Sequence, residues 1–129
     1  MLVYPWNILL PLMQNSSYIS ASFYDDTGTS LKIGSSCSIE CDTEAFRIIK
    51  LNWGAPEDYE RNRDGEVELS WTVQGEALTR LMKTCNNAKT PKDVVNYLYQ
   101  RFSPHNRVAH YELLEWLDKK EIKYYFSEY

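Results

Sequence analysis

The sequence predicts an α+β fold: an antiparallel sheet of about four to five strands with two to three helices packed on one face. Three observations predict it. Between Tyr18 and Val73 apolar residues recur with a period of two, after Gly75 the period becomes helical, and turn residues punctuate both stretches. Strands that precede helices, instead of alternating with them, form an antiparallel sheet with the helices segregated to one side.

Each element has its own signal. The opening segment sets Trp6, Leu9, Leu10 and Met13 on one helical face. Pro11 would cost ~3 kcal/mol inside a continuous helix, so a short or kinked helix is expected. From Tyr18, residues Ile19, Ala21 and Phe23 alternate with Ser20, Ser22 and Tyr24, and Asp25-Asp26-Thr27-Gly28 supplies a hairpin turn. Leu31, Ile33, Cys37, Ile39 and Cys41 share odd positions, which predicts a second strand with one apolar face along its length and a bulge or bend at Gly34. Phe46, Ile48, Ile49, Leu51 and Trp53 form a denser run that reads as a strand buried on both faces, although a short helix fits it too. Val67, Leu69, Trp71 and Val73 against Glu66, Glu68, Ser70 and Thr72 give a strand with one charged face.

The helices follow. Ala77, Leu78, Leu81 and Met82 form a stripe that ends near Asn86-Asn87. Thr90-Pro91-Lys92-Asp93 is an N-cap, a proline at the first helical position and an acid at the third. Behind it Val94, Val95, Leu98 and Phe102 face inward until Ser103-Pro104, and Ala109, Leu113, Leu114, Trp116 and Leu117 mark a third helix. Ile122, Tyr124 and Phe126 alternate as a short closing strand.

The 129 residues, 43% hydrophobic and 25% charged, suit a single domain over 1–129 whose core needs no disulfide or metal staple. Cys37, Cys41 and Cys85 cannot all pair within one chain. The segment MLVYPWNILLPLM lacks a basic n-region and a cleavage site and is too short to span a bilayer. Reduced thiols, a cytoplasmic location and no membrane association are therefore expected. Cys37 and Cys41 on one strand would lie ~13 Å apart, too far to share a metal. His105 and His110 are the only histidines, and neither accompanies a nucleophile elbow or a phosphate-binding glycine pattern. No catalytic residue, cofactor or metal is expected.

Charge carries the functional argument. Of 18 acidic and 14 basic residues, 11 acidic but only 5 basic ones lie within positions 1–70. Nucleic-acid binding draws its affinity from Lys and Arg at phosphates, so this layout favours a basic protein partner. The loop from Gly54 to Gly65 and the strand after it gather Glu57, Asp58, Glu60, Asp64, Glu66 and Glu68, with Asp25 and Asp26 adjoining. These acids form a candidate docking rim, with Tyr59 as its contact anchor, and a plain solvated connection is the alternative. Among ten tyrosines and four tryptophans, Trp53, Trp71 and Trp116 take core positions, whereas Tyr24, Tyr59, Tyr125 and Tyr129 are candidates for exposure.

In size, acidity, aromatic content and sheet-then-helix order, the chain resembles the immunity proteins that bacteria pair with polymorphic toxins, including those of contact-dependent growth inhibition. The resemblance is one of type, and no residue is carried over from it. It implies a non-enzymatic protein that binds a cognate toxin domain, often a basic nuclease, and covers its active site or substrate surface. Two readings compete. A small hydrolase or transferase would use His105 or His110 with an acid brought near by the fold. The helix pair 91–102 and 107–119 with its following strand also passes for half of a winged helix, its basic face formed by Lys89, Lys92, Arg101, Arg107, Lys119 and Lys120.

Overall fold

The computed structural model describes residues 17–102 and 106–129. The opening helix expected around Trp6 to Met13, the Ser103-Pro104 stop and His105 lie outside them. Five strands, β1 (Tyr18–Asp25), β2 (Gly34–Asp42), β3 (Ala45–Trp53), β4 (Glu66–Gln74) and β5 (Tyr125–Glu128), form one antiparallel sheet in the order β1-β2-β3-β4-β5. Helix α1 (Pro56–Arg61) interrupts the β3–β4 connection, and α2 (Glu76–Thr84), α3 (Pro91–Phe102) and α4 (Ala109–Lys119) lie between β4 and β5. The α+β class follows the sequence pattern, with four helices where two to three were expected.

The strand registers explain which face closes. Ile39, Ile48 and Trp71 sit opposite one another across β2, β3 and β4, as do Cys41, Phe46 and Val73. These side chains share a face with Ile19 and Ala21 of β1 and pack against Leu78 and Leu81 of α2, Val94, Val95 and Leu98 of α3, and Leu113, Trp116 and Leu117 of α4. Each aliphatic side chain fully buried there contributes ~1.5–3 kcal/mol. The N-cap of α3 is the one the sequence announces. Asp93 accepts the N–H groups of Lys89 and Thr90 at 3.1 and 3.2 Å, and the Thr90 hydroxyl accepts that of Asp93 at 3.2 Å.

Three expectations are corrected. The bulge falls in β1 between Ser22 and Tyr24, not at Gly34. It turns two successive residues, Phe23 and Tyr24, into the core, so Tyr24 is buried where alternation made it exposed. The second strand begins only at Gly34, because Asp26 and Ser35 close the hairpin there through two hydrogen bonds of 3.1 and 3.0 Å. Leu31 and Ile33 are left in the connecting loop, exposed. The third strand, finally, is buried on one face only: Phe46 and Ile48 are enclosed, whereas Ile49, Leu51 and Trp53 are half-buried on the opposite, helix-free side.

Candidate docking face

The face of the sheet turned away from α2, α3 and α4, helix-free except for α1 at its rim, carries the candidate site, and register builds it. Asp25, Ser36, Leu51, Glu68 and Tyr129 follow one another across β1 to β5, the last pair joined by mutual backbone hydrogen bonds of 3.0 and 2.9 Å. The next row toward the α1 end is Gly34, Trp53 and Glu66. Acidic side chains thus flank a floor of Leu51 and Trp53.

The Gly54–Gly65 segment, expected as a loop, contains α1 because its first turn is capped. The Asp58 carboxylate accepts the Ala55 N–H at 3.1 Å while the Asp58 N–H donates to the Ala55 carbonyl at 2.9 Å, and Pro56 occupies the first helical position. Gly54 and Gly65 both have positive φ, and the Gly54 N–H donates to the Gly65 carbonyl at 2.9 Å. A Cβ on Gly65 would stand 2.5 Å from the Tyr59 ring, so the missing side chain is what seats that ring. Tyr59 remains 56% exposed.

A groove of about 390 Å³ results, lined by Leu51, Trp53, Tyr59, Asp64 and Glu66 together with Thr27 and Lys32. A smaller depression of about 210 Å³ adjoins it, sharing Leu51, Asp64 and Glu66 and lined also by Asn62, Glu68 and Tyr129. The fold therefore brings Tyr59, Asp64, Glu66 and Glu68 together, with Asp25 at the far end of the row. Glu57 and Glu60 are exposed on α1 and line neither depression. The aromatic and apolar floor was missed, because a dense apolar strand was read as doubly buried. The parity of Leu51 and Trp53 with Arg47, opposite to Phe46 and Ile48, was the available signal.

Two acids leave the docking rim. Asp58 is buried as the α1 cap. Asp26 is buried against Arg107, which donates two hydrogen bonds of 2.9 and 2.8 Å to its carboxylate, while the Ser35 N–H donates a third at 3.0 Å. The Arg107 hydrogen bonds, then that from Ser35, hold the Asp26 carboxyl down at about 2. Arg107 also stacks on Tyr24, 4.4 Å from the ring centre, and Lys50 donates to the Tyr24 hydroxyl at 3.0 Å. Asp25 accepts the hydroxyl and N–H of Thr27 at 2.6 and 2.8 Å, which lowers its carboxyl below the usual range and leaves it at the surface.

His110, in the first turn of α4, lies against Trp71 and Tyr111, with its Nδ1 buried and without a hydrogen-bond partner. Burial, reinforced by Lys50, pushes it down to about 4, so the ring is neutral at physiological pH. No carboxylate hydrogen-bonds to it among the described residues. The three cysteines are buried, which pushes Cys37 up to about 11 and Cys41 and Cys85 up to about 12. Several basic side chains of the helix pair have internal partners: Lys119 pairs with Glu115 at 3.3 Å, and Arg101 lies over Phe102 and Trp116. The helix pair is followed by β5, which joins the main sheet instead of forming a wing. Among the described residues no group of three or more His, Cys, Asp and Glu is placed to hold a metal ion, and no helix is long and apolar enough to cross a membrane.

No family model, curated protein or solved structure matches the chain.

Proposed function

We propose that this chain is an immunity protein that captures a cognate basic toxin domain, a nuclease, on the helix-free face of its sheet and blocks it by steric and electrostatic cover. One observation carries the reading: Tyr59, Asp64, Glu66 and Glu68, drawn from a helix, a loop and a strand, line two adjoining depressions that share Leu51, Asp64 and Glu66, the first of them floored also by Trp53. Carboxylates on an open face steer a cationic partner and raise its association rate toward ~10⁸ M⁻¹s⁻¹ at low salt. Aromatic floor and rim then supply desolvated area that slows dissociation, which nanomolar protection, ~−12 kcal/mol, requires.

The test is capture from the native host by the tagged chain at rising salt, beside a variant carrying Asp64→Lys, Glu66→Lys and Glu68→Lys. One basic protein is expected, held stoichiometrically by the parent, released from the variant, and toxic when expressed alone. A folded variant that holds the same partner as well as the parent does would move docking to another face. A parent that captures no protein would remove the reading altogether.

A further inference from the structure

We propose that β5 is a self-pairing edge through which two copies of the chain join their sheets into one. In an antiparallel ladder, residues that exchange both backbone hydrogen bonds alternate with residues that exchange none. Glu68 and Tyr129 exchange both, so Ser127 and Tyr125, registered on Ser70 and Thr72, also direct their backbone groups at β4. The N–H and C=O groups of Phe126 and Glu128 therefore point away from the sheet. Among the described residues no strand pairs with that edge.

Side chains mark the same place. Tyr125 and Phe126 on β5 and Tyr129 just past its end are 65%, 53% and 71% exposed, a concentration of bare aromatic surface along one short edge. The opposite edge is defended differently: β1 is bulged between Ser22 and Tyr24 and presents Ser20, Ser22 and Asp25. Bulges and charges are the usual protection of a sheet edge, and β5 has no bulge and no proline.

A second β5 fits this edge about a two-fold axis through Ser127. Phe126 then exchanges both backbone hydrogen bonds with the second copy's Glu128, and Glu128 does so with its Phe126. At the intervening pairs, where side chains approach most closely, Ser127 meets Ser127 and Tyr125 meets Tyr129 twice. No like charges oppose each other, because Glu128 faces a phenylalanine and is engaged by Arg61 at 3.4 Å. Exposed aromatics bury ~150–250 Å² each at most, so this short edge falls below the ~800 Å² per partner of a standard interface. The dimer is accordingly weak and concentration-dependent. Tyr129 also borders the acidic groove, so pairing brings the second copy's Tyr125 to its rim.

Sedimentation velocity over a wide concentration series tests this on the full chain. The parent should pass from monomer to dimer as concentration rises. Glu128→Ala, which loses the Arg61 pair, should follow it, and Glu128→Pro, which in addition loses an outward N–H and fixes φ at about −65°, a backbone that an edge strand accommodates, should stay monomeric. Under mild oxidation Ser127→Cys should give a disulfide-linked dimer, since such pairs stand ~4.5 Å apart at Cα. Phe126→Cys should not, and the buried native cysteines add no cross-link of their own. A parent that is monomeric throughout, a folded Glu128→Pro chain that still dimerises, or Phe126→Cys linking as readily as Ser127→Cys would overturn the proposal.

Discussion

Asp26 carries a formal charge that a partner cannot reach, and its environment makes that charge a stability device. Its folded carboxyl is held at about 2, below the ordinary 3.8, so its contribution is full above about pH 4 and is lost as pH falls through 2. His110 acts in a separate window. Its folded value near 4 lies below the ordinary 6.5, so the unfolded chain takes up a proton first and stability declines between about pH 6.5 and pH 4. Urea midpoints across this range should fall in two stages. Asp26→Asn should flatten the lower stage, leaving what Asp25 and Asp93 contribute, and His110→Leu should flatten the upper one, worth at most roughly 3 kcal/mol. A second residue-scale prediction concerns Gly65. Alanine there needs a left-handed backbone and a Cβ 2.5 Å from the Tyr59 ring, so Gly65→Ala should cost about 1–2 kcal/mol and displace Tyr59. Chemical denaturation reads the first effect, and the shift of Tyr59 ring resonances reads the second. The sequence shows that Asp26 is acidic, but its Arg107 partner lies 81 residues along the chain, so its commitment to the interior was not legible. Tyr24 was misplaced for a related reason: one inserted residue in β1 reverses parity, and no local pattern announces it.

At the scale of elements, most signals were local and were readable. The existence and order of the strands, the Thr90–Asp93 cap and the Asn86-Asn87 stop correspond to observed structure, the last through two asparagines with positive φ, whereas the closing strand starts only at Tyr125 and leaves Ile122 and Tyr124 ahead of it. Helix α1 was legible too, yet was passed over. Ala55-Pro56-Glu57-Asp58 has the same proline and acid offsets as Thr90-Pro91-Lys92-Asp93, without the hydroxyl residue that makes the second recognisable. The end of α4 offers a prediction of the same kind. Ile122 N–H donates to the Leu117 carbonyl at 2.9 Å and Glu121 N–H to that of Asp118 at 3.1 Å, which forms a Schellman closure with Glu121 at its left-handed position. Glycine is favoured there, so Glu121→Gly should stabilise the fold by roughly 0.5–1 kcal/mol despite losing an exposed ion pair with Arg80. A urea midpoint that rises with unchanged slope is the expected outcome. Glu121→Gln, measured beside it, removes the ion pair while keeping a side chain at the left-handed position and the Arg80 hydrogen bond to the Lys120 carbonyl, and a midpoint that falls in Glu121→Gly by more than in Glu121→Gln would show that the turn is not strained.

The whole molecule divides its chemistry between the two faces of one sheet. The helix-free face holds hydroxyls, Leu51, Trp53 and the acidic groove, while the covered face holds the core and all three thiols. That division was only half legible, because periodicity assigns parity within a strand but does not say how far a helix layer extends over it. The thiols turn the division into a test of cooperativity. Cys37 and Cys41 lie on β2 and Cys85 at the end of α2, so the sheet and a helix each carry a reporter of the same core cluster. Burial closes them to reagent and raises them to about 11 or 12, so at neutral pH the folded chain presents almost no thiolate. Labelling must then pass through an opening of the structure. If sheet and helices open as one unit, a thiol reagent followed by mass spectrometry should show chains with none or all three cysteines modified, the modified fraction tracking global unfolding as denaturant is added. Modification of Cys85 alone in the absence of denaturant would instead show that α2 leaves the core independently of the sheet. The acidic face opposite would then rest on a sheet whose helical cover is divisible.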